Sequence, residues 1–171
     1  MKSSNKKPKL LIIGHARHGK DTVAGILNEM YGYTFKSSSQ AAAEIFIYDA
    51  LKDKYGYKSF EECYEDRMNH REEWYNMICE YNSEDPARLA KEIMKTNDIY
   101  VGMRSAREIE SCVEQGVFDY IVAVYDERKP YEDESSIDDT IFEYTDVAIY
   151  NNGTLDDLKR EVAFLIFYFE L

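Results

Sequence analysis

The sequence predicts an α/β domain, a three-layer sandwich in which a five-stranded parallel sheet is covered by helices on both faces. Three observations predict it. Short, continuous apolar runs at 9–13, 99–101 and 120–124 read as strands buried on both sides. Helical stretches separate them, as the crossovers between parallel strands require. The first run leads straight into Gly14 and a turn that opens a helix.

The elements follow in order. Residues 1–8 read as a frayed leader. Leu10–Ile13 is the first strand, and the helix after it carries Val23, Ile26, Leu27 and Met30 on one side before Gly32 stops it. Residues 33–36 form a short strand. A charged, largely helical insertion then runs over about 37–95, with a helix from Ala41 to about Tyr55. Ser59 caps the next helix with Glu62 three residues on, and Pro86 falls in the first turn of another that runs to about Lys95. Residues 99–102 give a strand, 106–115 a helix, 120–124 a strand and 147–149 the last strand. A small lid is expected over about 126–145. Thr154, partnered by Asp157, caps a final helix whose inner stripe is Leu155, Leu158, Val162, Leu165 and Phe169.

Composition narrows the function. The 171 residues are 44% hydrophobic and 32% charged, enough for one packed domain. With 21 basic and 33 acidic residues the net charge is −12, which repels nucleic acid and anionic membrane. Neither is expected as a partner, and any bound polyanion needs a local group of cations. No run approaches the ~20 apolar residues of a membrane span, and the apolar run at the start is too short for a signal peptide. Cys63, Cys79 and Cys112 have no CxxC spacing, so a reducing, cytoplasmic setting is expected, without disulfide or zinc.

The strongest signal is Gly14-His15-Ala16-Arg17-His18-Gly19-Lys20-Asp21-Thr22. A GxxxxGK loop between a strand and a helix turns backbone N–H groups around phosphate oxygens. The helix dipole and Lys20 add positive potential. The residue after the lysine is usually Ser or Thr, whose hydroxyl binds magnesium. Here it is Asp21, either a magnesium ligand or only a favourable charge at a helix start. His15 and His18 read as tolerated variable positions. Neither is needed as a base, since an acceptor phosphate is already ionised at neutral pH, and no further ligand partners them for a metal.

Phosphoryl transfer demands two anions held in line with their charge neutralised. Lys20 and Arg17 in the loop, Arg104 at the carboxyl end of a strand and Arg128 in the lid meet that demand. Arg67, His70, Arg71 and Trp74 fall at i, i+3, i+4 and i+7, one face of a helix. That face suits a phosphate and a stacked base, or it is a solvated, salt-bridged face with Trp74 in the core. Asn151 and Asn152 present backbone and amide groups to adenine, form a turn before the final cap, or do both. The acidic run 132–139 reads as a solvated loop.

With Gly19-Lys20-Asp21-Thr22 in view, the chain resembles the phage deoxynucleoside monophosphate kinases, a branch of the P-loop nucleoside and nucleotide kinases. Tyr100-Val101-Gly102-Met103-Arg104-Ser105 looks like their strand ending in an arginine. The segment 124–129 looks like their strand into the lid, and Asn151-Asn152-Gly153-Thr154 like their base-proximal loop. The resemblance implies a P-loop kinase fold that phosphorylates a nucleoside monophosphate from ATP with Mg2+, in a host cytoplasm. It implies ATP-binding residues at 14–22, Arg128, Asn151 and Asn152. Lys20, Arg104 and Arg128 would be catalytic, Asp21 would hold the metal, and Arg67, His70, Arg71, Trp74 and Arg104 would hold the acceptor. Relatives tend to carry an Asp two residues before the strand-end arginine, where this chain has Gly102. Two rivals stand beside this reading: a kinase for another small phosphorylated acceptor such as a coenzyme precursor, and an inactive nucleotide-binding regulatory module. Pairing as a homodimer is left open.

Overall fold

A computed structural model describes residues 6–132 and 137–170. Residues 1–5 of the expected leader and 133–136 of the acidic run lie outside the described residues. The sheet has five parallel strands in the order β2 (Phe35–Ser37), β3 (Ile99–Val101), β1 (Leu10–Ile13), β4 (Tyr120–Tyr125) and β5 (Val147–Tyr150). Its register is continuous: Leu10 lies level with Ile99 on one side and Tyr120 on the other, and Val122 with Val147. The expected fold class is the observed one.

Alternation along each strand divides the core in two. Leu10, Ile12, Val101, Val122 and Ile149 face α1 (Lys20–Tyr31) and α8 (Leu155–Glu170), meeting Val23, Leu27, Leu158, Val162 and Leu165. Leu11, Ile13, Tyr100, Ile121 and Ala123 face the other layer, which holds α7 (Ala106–Glu114) and the helices between β2 and β3. Those helices are α2 (Ser38–Ala42), a π-helical stretch Ala43–Ile47, α3 (Tyr48–Tyr55), α4 (Phe60–Asp66), a 3-10 turn Arg67–Asn69, α5 (Arg71–Tyr81) and α6 (Arg88–Met94).

Caps set most helix starts. Ser59 Oγ accepts from Glu62 N–H at 3.2 Å, and Thr154 and Asp157 exchange N–H bonds at 2.8 and 3.2 Å, as the sequence predicts. Ser37 caps α2 by accepting from Gln40 N–H, so that helix starts before Ala41. Elsewhere local chemistry shifts the ends. The strand expected at 33–36 begins at Phe35, because Tyr33 is buried in the inner core and Thr34 N–H is taken by the Asp98 side chain. Pro86 lies ahead of α6, which opens at Arg88.

The loop after β1 packs hard against β4. A Cβ on Gly14 would stand 2.7 Å from the main-chain oxygen of Val124. Backbone cannot retreat as a flexible side chain would, so Gly14→Ala must displace either the loop or β4. The expected cost is about 1–3 kcal/mol of stability, read as a lowered Tm or a lowered denaturant midpoint with unchanged slope.

Candidate phosphate-binding site and adjoining cavity

The GxxxxGK loop stands at the carboxyl end of β1, and Lys20 is the first residue of α1. Arg17 takes a positive φ of 64°, part of the turn that aims successive amides inward. Its side chain is exposed, and Ala16 is half-buried. Lys20 is largely buried, with Nζ 3.5 Å from the His15 carbonyl oxygen. Burial pushes its pKa down, Asp21 pulls it back up, and Arg104 lowers it further. Asp21 and Thr22 are exposed on the first turn of α1.

His15 and His18 are structural members of the loop, beyond the tolerated positions the sequence suggests. His18 is fully buried; its Nδ1 accepts from Asp126 N–H at 3.1 Å and its Nε2 donates to the Pro130 carbonyl at 3.1 Å. That pair of partners specifies a neutral ring protonated on Nε2. His15 is stacked with Tyr131 and Phe142 at centroid distances of 4.7 and 5.1 Å, and its Nδ1 accepts from Glu132 N–H at 3.1 Å. Burial lowers the His15 pKa, against the raising effect of Asp139. Both rings therefore tie the loop to the segment after β4.

That segment also brings Glu132, which sequence reasoning places in a solvated run. Its Oε2 accepts from Ala16 N–H at 2.7 Å, and its Oε1 accepts from Arg104 Nη1 at 2.7 Å. Burial raises its pKa, but the Arg104 guanidinium, the Ala16 amide and Lys20 outweigh this and leave it lowered. A carboxylate thus sits on a loop amide and an arginine, both suited to hold an anion. The signal that would find it is pairing with Ala16, 116 positions away, which one sequence does not display.

Arg128 and the asparagines form a second group. The Arg128 guanidinium grips Asp126 through two bonds of 2.8 and 2.9 Å and donates to the carbonyls of Asn151 (2.8 Å) and Gly153 (3.1 Å). It is held against the β5–α8 connection. Asn151 Nδ2 donates to the His18 carbonyl at 3.2 Å, and a Cβ on Gly19 would meet that nitrogen at 2.5 Å. Asn152 is bound to Glu127 through both ends of its amide. Asn152 thus ties the β5–α8 connection to Glu127, and Asn151 braces the loop after β1.

The stretch expected to present Arg67, His70, Arg71 and Trp74 on one helical face is interrupted. A 3-10 turn covers Arg67–Asn69, His70 leaves helical geometry at φ −128°, and α5 begins at Arg71. The expected continuous helix is corrected accordingly. His70 turns to Asp66 at 2.9 Å and lies against Tyr55. It is absent from the lining of the adjoining cavity, whereas Arg67, Arg71 and Trp74 are in it. Arg67 lies over the Tyr64 ring at 4.0 Å and donates to the Tyr64 carbonyl. Trp74 is buried, so it serves the core and the cavity wall together.

The cavity has a volume of about 640 Å³ and is lined by Ala16 of the loop, Gly102 at the end of β3, Arg104, Glu132, Arg67, Arg71 and Trp74. Ser38, Ser39, Cys79, Ser105, Glu108 and Asp138 add polar groups to its lining. Among the described residues no cluster of three or more His, Cys, Asp or Glu is arranged for a metal. Gly102 takes φ 97°, a region L side chains rarely adopt, so an acid there would be strained. Asp21 and Thr22 beside Lys20 remain as oxygen donors next to the loop, which suits magnesium held mostly by phosphates and water.

No family model matches the sequence, and no curated protein matches it. Solved structures do match in fold. A dephospho-CoA kinase from Campylobacter jejuni aligns with a TM-score of 0.54 at 12% identity, covering 93% of this chain and 95% of that one. A shikimate kinase from Aquifex aeolicus aligns with a TM-score of 0.51 at 13% identity, covering 95% and 98%. The α/β fold with its all-parallel five-stranded sheet is shared with these two kinases.

The Asp126–Arg128 pair gives a pH signature. The hydrogen bonds from Arg128 hold the Asp126 carboxyl down at about 2, against an ordinary value of 3.8. A carboxylate lowered on folding adds stability above the unfolded value and loses it as pH falls through the folded one. Wild-type Tm should therefore drop between about pH 4 and pH 2 more steeply than that of Asp126→Asn. Glu132 gives a second test. If its carboxylate competes for the loop amide and Arg104, Glu132→Gln should bind inorganic pyrophosphate several-fold more tightly by calorimetry, roughly the worth of a half-exposed ion pair.

Proposed function

We propose that the chain is a kinase that transfers the γ-phosphoryl group of ATP to a (deoxy)nucleoside monophosphate, as the phage-type enzymes it resembles would. The observation that carries the reading is continuity: one cavity joins the phosphate loop at Ala16 to three guanidiniums, Arg67, Arg71 and Arg104, and to the Trp74 indole. A monophosphate with an attached base fits that sequence of groups, cation first and aromatic wall after.

In this reading the amides of 15–21 and Lys20 hold the β- and γ-phosphates. Arg104 holds the acceptor phosphate once Glu132 has given way. An oxygen of the ionised acceptor attacks the γ-phosphorus, the bond to the β-phosphate bridging oxygen breaks, and ADP departs with the electron pair. No proton must move first, so no general base is required. Arg17, exposed on the loop, adds charge near the phosphates. Arg128, Asn151 and Asn152 shape the wall on the nucleotide side. Asp21 and Thr22 would hold magnesium, which neutralises charge on the β- and γ-oxygens when bound. His70 belongs to the acceptor side only through its hold on Asp66, next to Arg67.

The same guanidiniums would serve another phosphorylated acceptor, and an ADP-release assay across nucleoside monophosphates and coenzyme precursors separates the two. Lys20→Ala should lower turnover by at least about a hundredfold while circular dichroism and Tm stay close to wild type. Arg104→Ala should raise the acceptor KM and lower kcat, about ten- to a hundredfold in kcat/KM. Unchanged constants in Arg104→Ala would remove it from the acceptor end. ATP binding without acceptor-dependent turnover would point to the regulatory module instead.

A further inference from the structure

Two of the three cavity arginines stand on one corner of the chain. Arg67 opens the 3-10 turn after α4, Arg71 opens α5, and His70 lies between them off helical geometry. Among the described residues neither arginine makes an ion pair. Each leans on the corner itself: Arg67 Nη1 donates to the Tyr64 carbonyl at 2.7 Å, and Arg71 Nη2 lies 3.5 Å from Met68 Sδ. Where the two guanidiniums stand therefore follows from how the corner is held. A 3-10 turn holds itself poorly. This one closes on a single long bond, from His70 N–H to the Arg67 carbonyl at 3.2 Å.

The Asp66 carboxylate supplies the rest. Its Oδ2 accepts from the Tyr57 hydroxyl at 2.6 Å and from His70 Nε2 at 2.9 Å, and its Oδ1 accepts from Asn69 Nδ2 at 2.6 Å. One side chain thus joins the α3–α4 connection, the 3-10 turn and the residue before α5. The Tyr57 and Asn69 bonds lead in holding its pKa below the ordinary value, so the group stays charged. The His70 ring also lies 4.1 Å from the Tyr55 ring, and Tyr55 donates to Glu73 at 2.6 Å, which ties the end of α3 to the first turn of α5. Next along α5, Trp74 N–H donates to the His70 carbonyl at 3.0 Å. The buried Trp74 indole Nε1 has no partner among the described residues, an orphan donor in a cavity wall that a bound acceptor group would relieve.

We infer that Asp66 is a positioning residue for the acceptor: by fixing the corner between α4 and α5 it sets Arg67 and Arg71 where a phosphate can meet both, without touching the phosphate itself. This rests on the nucleoside monophosphate reading above and gives its two corner arginines a common support. Long guanidinium side chains on a loose turn would have to be ordered by the ligand, and that ordering weakens binding. An acid so near a phosphate would also repel it, unless other donors take up its charge. Tyr57, Asn69 and His70 do so here, and none of those bonds goes to Arg67.

The test is steady-state kinetics with ATP and, in turn, dAMP, dCMP, dGMP and dTMP as acceptors, with Tm followed alongside. For the acceptor that wild type turns over best, Asp66→Ala should raise KM about tenfold, while kcat and the KM for ATP stay within about twofold. Asp66→Asn keeps one accepting oxygen and should lose less. Tyr57→Phe removes a single hydroxyl from the corner and should raise the acceptor KM about threefold with little change in Tm. In an Arg67→Ala/Arg71→Ala chain, Asp66→Ala should add less than about twofold, since nothing remains to position. If Asp66→Ala and Tyr57→Phe leave the acceptor KM unchanged, raise the KM for ATP as much, or act as strongly without the two arginines, the positioning role is overturned while the kinase reading stands. If wild type phosphorylates none of these monophosphates, both fall.

Discussion

The turn from Gly14 to Lys20 can aim its amides at an anion only because other segments hold it in that shape. A ring of like-directed N–H dipoles is not stable alone; its partial charges repel, and the bends cost backbone freedom. Here β4 presses on Gly14 from below, Asn151 fixes the His18 carbonyl, and two buried imidazoles join the loop to residues 126–132. Arg128 depends on the same contacts, since Asp126 holds its guanidinium and meets His18 at once.

Charge gives the site its second constraint. A chain of net charge −12 can hold a phosphate only where cations gather locally, and Arg67, Arg71 and Arg104 line one cavity beside the loop that carries Lys20. Gathered cations repel one another, as the lowering of Lys20 by Arg104 records. Glu132 relieves that repulsion where it sits. At the end of β3 the backbone of Gly102 itself favours glycine over an acid.

What could be read from the sequence was whatever has a short-range cause. Strand β1, the GxxxxGK turn and α1 are contiguous, and each step has a local reason: apolar run, glycine bend, helix start. The caps at Ser59 and Thr154 are equally local. What escaped depends on pairs far apart in the chain. Glu132 reaches Ala16 across 116 positions, and His18 reaches Pro130 across 112. A helical wheel placed His70 with Arg71 because it assumes an unbroken helix, and the 3-10 turn at Arg67–Asn69 removes that assumption.

His18 holds its two partners on opposite sides of one flat ring. An imidazole neither stretches nor bends, so it acts as a strut of fixed length between the exit of β4 and Pro130. Whatever shifts the chain beyond Pro130 is therefore felt at Asp126 and at the bend itself as a rigid displacement.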